Sequence, residues 1–139
     1  MGEGGARGTD GRVYPWGNVW DKSRCNVDAS LLRGLASLVA SAAIGITAVG
    51  QYSPRGDSPY GLLDMAGNVW EWTRSFHKDY PYVPEDGRED LEGAGPRVLR
   101  GGSWYYDLNF ARCACRGRGS PGSRVSKIGF RVAASPGSP

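Results

Sequence analysis

The chain has 139 residues, 40% hydrophobic and 22% charged, with a formal net charge of +3. That is one ordinary domain, apolar enough to bury a core, and it excludes a disordered chain or a strongly basic nucleic-acid binder. Its 22 glycines and 9 prolines exclude a fold of long helices and favour turns, loops and short strands.

Residues 1–10 read as a flexible lead-in, 11–134 as a single domain and 135–139 as a disordered tail. Within the domain, Val13 to Trp20 is an aromatic loop, because Pro15 and Gly17 interrupt any strand ladder. Asp28 to Ala43 carries the helical pattern: Asp28 is a candidate N-cap, and Leu31, Leu32, Leu35, Leu38, Val39 and Ala42 share one face. A homo-oligomer could form through residues 31–43. Ile46 to Val49 is a short strand, and Gln51 to Pro59 a loop.

Leu62 to Thr73 passes from loop to strand, with Trp70 and Trp72 on one face and Glu71 on the other. Ser75 to Gly95 is long and polar, without periodicity. Val98 to Trp104 is a strand interrupted at Gly101 and Gly102, where a bulge or a close backbone approach is expected. Ile128 to Ala133 is a closing strand.

Leu31 to Gly50, the longest apolar stretch, is broken by Arg33, Gly34 and Gly45, and Met1 to Arg7 lacks the apolar core of a signal peptide. No membrane partner is expected, and the cytoplasm is the default location. The arginines cluster late, at Arg112, Arg116, Arg118, Arg124 and Arg131, but form no helical stripe, so nucleic acid is not an expected partner. Cys113 and Cys115 are too awkwardly spaced to bridge each other. A bridge from Cys25 to either stays open beside free thiols in a reducing compartment.

Several runs carry a family resemblance: Gly11 to Asn18, Gly56 to Leu62, Asp64 to Thr73 (Asp-Met-Ala-Gly-Asn-Val-Trp-Glu-Trp-Thr), Arg97 to Trp104 (Arg-Val-Leu-Arg-Gly-Gly-Ser-Trp) and Ile128 to Arg131. In order and spacing they resemble the formylglycine-generating-enzyme (sulfatase-modifying factor) family. The resemblance implies an α+β, C-type-lectin-like fold: a small twisted antiparallel sheet with long loops and one or two helices. Here it is in minimal or truncated form, because members usually carry a substantial preceding half. A partner subunit, or the 31–43 helix, could cover what that half would bury.

The resemblance also implies where copper would sit in the enzymes, on two cysteines shortly after Arg-Gly-Gly-Ser. Here Tyr106 stands at the first position and Ala111 at about the second, so no copper and no catalytic residue is expected. Soft Cu(I) ligation needs thiolates, and neither residue supplies one. Cys113 and Cys115 come late in the pattern and read as structural thiols, and the sole histidine, His77, reads as solvated. The family's calcium site aligns with Asp64, Gly67, Val69 and Glu71, two carboxylates and two backbone carbonyls suited to a hard cation. The residue-level alternative is that Glu71 pairs with an arginine and Asp64 caps a turn. A second family calcium site would use Asn26 and Val27, but no carboxylate stands near Ser41 to complete it. Trp70, Trp72, Trp104 and Phe130 read as core anchors, and Arg100 and Arg131 as partners of buried carbonyls or carboxylates.

Between Trp104 and Ile128 the sequence changes character. It resembles the variable segment of diversity-generating retroelement proteins, which share this fold and vary between Arg-Gly-Gly-Ser-Trp and Gly-Phe-Arg motifs. Tyr105, Tyr106, Asp107, Asn109, Phe110, Cys115, Gly117, Gly119, Ser120, Gly122, Ser123, Val125 and Ser126 are each reachable from an Asn codon by adenine changes. Lys127 is not. Aromatic residues interleaved with Ser, Asn and Gly also suit recognition, giving rigid contact area with adaptable hydrogen bonding. The expectation is a non-catalytic module whose surface, about 105–126 within a segment of about 105–127, binds a protein or other macromolecule. The alternatives are a formylglycine-generating oxidoreductase and an inactive accessory domain of that family.

Overall fold

The computed structural model describes residues 3–27 and 45–133. The 28–43 helix, the oligomer contact assigned to it and the 135–139 tail lie outside the described residues. Four strands form one sheet: β1 (Trp70–Phe76), β2 (Arg97–Arg100), β3 (Gly117–Gly119) and β4 (Ile128–Gly129), in the order β3-β2-β1-β4. β2 runs antiparallel to both β1 and β3, with Trp72 opposite Leu99 and Leu99 opposite Gly117. β4 departs from the expected antiparallel pattern. It lies parallel to β1, Trp70 opposite Ile128, and ends after two residues.

The sheet is built around its indoles. Trp70 is 5% exposed, and β3 accommodates both rings by having no side chain at alternate positions. A Cβ on Gly117 would lie 3.4 Å from the Trp70 ring, and one on Gly119 only 2.6 Å from that of Trp72. Truncating a buried Trp of this kind costs about 3–5 kcal/mol.

A second packing centre lies in the loops. Tyr14, Cys25, Ala66 and Ala111 are buried together, with Trp16, Trp20 and Val27 against them. Tyr14 stacks on Trp16 with ring centroids 5.4 Å apart. The aromatic loop is therefore a lid on core residues rather than a wet surface.

Gly67 and Asn68 join the two centres. Both have positive φ, 78° and 63°, a region open to Gly and tolerated by Asn. A Cβ on Gly67 would collide with the Asn26 carbonyl. Asn68, 7% exposed, donates its backbone N–H to that carbonyl at 2.8 Å and accepts from Trp104 N at 3.0 Å. Its side-chain oxygen accepts from Thr47 N at 2.9 Å, and its amide nitrogen donates to Thr47 O at 3.2 Å.

Three expectations need correction. Residues 3–7 of the lead-in form a helical turn, α1 (Glu3–Arg7), and Ala6 on it is 5% exposed, so the domain's packing starts earlier than residue 11. Ile46 to Val49 is not a strand: Thr47 bonds to the Asn68 side chain instead of a ladder, leaving Ile46 63% and Val49 81% exposed. Phe130 is not a core anchor. Past the short β4 the chain leaves the sheet, and Phe130 is 76% exposed.

Candidate functional site

The segment after β2 begins with a tight crossing. Gly101 and Gly102 have φ of 91° and 75°, and a Cβ on Gly102 would sit 2.6 Å from the Phe110 carbonyl oxygen. This is the close approach anticipated at the glycine pair. It brings the short 3-10 turn Leu108–Ala111 back against the end of β2. Asp107 caps that turn, its carboxylate accepting from Asn109 N at 2.8 Å. This is the usual way a short acidic side chain satisfies an orphan amide.

The turn places an aromatic cluster over β1. Tyr106 and Phe110 lie 4.8 Å apart, and each meets Trp70 edge-on, at 6.0 and 6.1 Å. Tyr105 meets Tyr106 at 5.4 Å and Trp104 at 5.6 Å, again edge to face. Such contacts favour ring edges against π faces and fix the rings relative to one another. Tyr105 and Phe110 keep 39% and 37% of their surface exposed.

Lys127, which sequence reasoning set aside, closes the cluster. Its ammonium lies 4.4 Å from the Tyr105 ring centroid and 4.9 Å from that of Tyr106, and it donates to Tyr106 Oη at 3.1 Å. Its backbone carbonyl accepts from Trp70 N at 2.9 Å. Both ends of the segment therefore meet at one lysine. No local sequence signal marks this contact, because Lys127 and Tyr106 are 21 positions apart.

Between the ends, the segment divides. Gly117 and Gly119 belong to β3 and are closed in by the indoles, whereas Ser120 to Ser126 are all exposed. Ser120 O accepts from Ser123 N and Val125 O from Ile128 N, at 2.8 and 3.1 Å, so this stretch is a loop held by two turns. Cys115 is half-buried with its thiol pushed up by burial, against the pull of the nearby Arg112 and Arg100. Cys25 is raised to about 12, mainly by burial and then by Asp21. All three cysteines are free thiols. The thiols of Cys25 and Cys115 are thus far from the thiolate form that binds metals or attacks substrates. Tyr106 and Ala111, at the family's copper positions, present a phenol packed among rings and a methyl that is 1% exposed.

The residues assigned to calcium lie around the start of β1. Glu71 accepts two N–H groups of Arg131, which also donates to Leu63 O at 2.9 Å and Asp64 O at 3.1 Å. The Asp64 carboxylate accepts from Gly50 N at 2.7 Å. Gly67 donates to Gly101 O at 2.7 Å. The fit to Ca2+ is therefore partial: the acidic and carbonyl oxygens are the right kind, but a guanidinium already engages the Glu71 carboxylate. Arg100, opposite Glu71 on β2, donates to Cys113 O and Cys115 O at 3.3 and 3.0 Å.

The family model for the sulfatase-modifying factor enzyme 1-like domain matches residues 3–136. The chain is 37% identical over 125 residues to the serine/threonine-protein kinase pkn1 of Chlamydia pneumoniae, covering 86% of this chain and 17% of that protein. It is 34% identical over 138 residues to the inactive C-alpha-formylglycine-generating enzyme 2 of Bos taurus, covering 95% of this chain and 40% of that one. Among solved structures, Treponema denticola variable protein 1 superposes with a TM-score of 0.67 at 28% identity, covering 92% of this chain and 42% of the other. The chain thus spans less than half the length of each. With the glycine crossings, the indoles and the Glu71–Arg131 pair all inside the matched region, the chain belongs to the sulfatase-modifying factor (formylglycine-generating enzyme) family.

Proposed function

We propose that the chain is a non-catalytic binding domain that presents residues 105–126 to a protein or other macromolecular ligand. The observation carrying this reading is the aromatic cluster. Tyr106, at the position where the resemblance implies a thiolate in the family's enzymes, packs with Phe110 on Trp70, and Tyr105 and Phe110 stay partly in solvent. Exposed aromatic rings held rigid by neighbours are the usual energetic anchors of an interface. The exposed loop 120–126 beside them supplies small polar groups. The likeness to a variable protein, and to an enzyme relative described as inactive, supports the same reading. Within it, the segment is one that a diversity-generating retroelement rewrites.

Two experiments test this. Incubation with copper and a cysteine-containing sulfatase peptide should leave the cysteine unchanged; conversion to an aldehyde would overturn the reading. Sequencing the genomic neighbourhood should reveal a reverse transcriptase and an Asn-rich near-copy of residues 100–131. Their absence removes diversification and leaves an inactive accessory domain, the reading favoured by the inactive relative.

A structural Ca2+ at Asp64, Gly67, Val69 and Glu71 accompanies the proposal, with the ion competing with Arg131 for the Glu71 carboxylate. Added Ca2+ should raise the melting temperature and a chelator lower it. An unchanged melting temperature would leave Arg131 as the only cation serving these oxygens.

A further inference from the structure

On the side of the sheet away from the Trp72–Leu99 pair, the loop after β1 folds over to enclose a cleft of about 300 Å³. Thr73, Val98 and Arg100 alternate with Trp72 and Leu99 and so line the floor. Tyr80 and Tyr82, 60% and 53% exposed, form the outer wall. Among the described residues, four guanidinium groups line this cleft, those of Arg74, Arg88, Arg100 and Arg116, against one carboxylate, Glu89.

The arginines are not equivalent. Arg88 is buried and held by Asp86, its Nη2 at 2.7 Å from the carboxylate, so its charge is matched. Arg116 is held by uncharged groups: both terminal nitrogens donate to Lys78 O at 3.2 Å, and the guanidinium lies 4.1 Å from the Tyr80 ring centroid. Stacking of this kind fixes the plane of the fork while leaving the charge unneutralised.

The cleft already shows how it takes a carboxylate. Glu89 accepts from Arg74 Nε at 2.8 Å, Ser75 Oγ at 2.6 Å and Tyr82 Oη at 3.0 Å. Those donors hold its carboxyl below the usual range, Ser75 contributing most and Arg74 next. One internal carboxylate thus meets guanidinium, hydroxyl and phenol donors together, in a cleft where Arg116 has no acidic partner among the described residues.

We propose that this cleft is a second binding site, for the side-chain carboxylates of an acidic peptide segment. Arg116 and Arg74 are its recognition residues, and Glu89 is an internal competitor. The site shares Arg116 with the 105–126 segment but contains none of the aromatic residues 105, 106 and 110.

The test uses the whole chain and a labelled hexaglutamate peptide, with a hexalysine peptide and a six-nucleotide poly-dT strand as comparison probes. Saturable binding of hexaglutamate is expected, weakening as salt rises. Losing one charge-assisted contact should weaken it about tenfold in R116A. The mostly exposed Arg74 gives a second variant, R74A, expected to weaken binding without loss of fold, and E89Q should tighten it several-fold. Y105A, in the aromatic cluster outside the cleft, should bind hexaglutamate as the parent chain does, which distinguishes failure of this site from failure of the aromatic surface. Absence of hexaglutamate binding, equal binding by parent, folded R116A and R74A, or preference for poly-dT would each overturn the proposal.

Discussion

Between Gly67 and Trp70 the chain is tied to distant segments: Gly67 to Gly101, Asn68 to Asn26, Thr47 and Trp104, and Trp70 to Lys127, Tyr106 and Phe110. From Ser120 to Ser126 every residue is exposed, and the backbone bonds from Ser123 N to Ser120 O and from Ile128 N to Val125 O are local turns. Both stretches are rich in Gly, Asn or Ser, so composition does not separate them. What separates them is whether a small residue is small because something fills its space. Gly67 and Gly102 are pressed against backbone, whereas Gly122 has nothing within 4 Å of where its Cβ would be.

Substitutions should expose that contrast sharply. Trp70→Ala should have the largest effect, about 3–5 kcal/mol lost in denaturant unfolding, because the ring fills space between β3 and the aromatic turn. A loss under about 1 kcal/mol would mean the turn does not depend on it. Gly102→Val follows at about 3 kcal/mol, combining a left-handed backbone with collision against the Phe110 carbonyl. Gly122→Val at the open position should unfold at the same denaturant concentration as the parent chain.

Asn68→Ala should cost about 2 kcal/mol, since it strands the Thr47 amide and forces Ala into a left-handed conformation. Asn68→Gly, which relieves only the backbone strain, should recover part of this in the same unfolding experiment.

Acid offers a milder probe. Asp86 is lowered to about 2, chiefly by its hydrogen bond to the Arg88 side chain. A depressed carboxyl contributes stability above its unfolded pKa, near about 4, which is lost as pH falls through the folded value. The melting temperature should therefore fall between about pH 4 and 2, and less steeply in Asp86→Asn. Equal slopes would show that the 76–95 loop does not depend on this pair. Smallest of all, Ser123→Ala should stay within about 0.5 kcal/mol of the parent in either measurement.

Much of the framework was legible in the sequence, for reasons the contacts make plain. Alternation across Trp70-Glu71-Trp72 set the faces of β1, and paired glycines at 101–102 marked a close crossing. Phe130 misled because burial needs a covering layer, and a Gly-Phe-Arg motif does not state whether that layer is present. Ile46 to Val49 misled because β-branched residues look alike whether or not a ladder partner exists. Thr47 bonds instead to the side chain of Asn68, a residue that reads locally as half of a turn. The cluster at Lys127 was hidden because it joins that residue to Tyr106, 21 positions away, through a fold-dependent return of the chain, and the arginine cleft because its walls come from β1, the loop after it, β2 and Arg116.

Gly119, beneath the Trp72 indole, sets a limit on any repertoire written into this segment. A codon at position 119 can be rewritten freely as DNA, yet any side chain it specifies must contend with the Trp72 ring 2.6 Å from the new Cβ. Positions 120, 122, 123, 125 and 126 face no such ceiling. Unequal tolerance turns a uniform mutational process into a filtered one: variants at 119 would be lost at folding, before any ligand is met. A library drawn on this chain gains diversity by holding Gly119 fixed and placing its randomness on the loop.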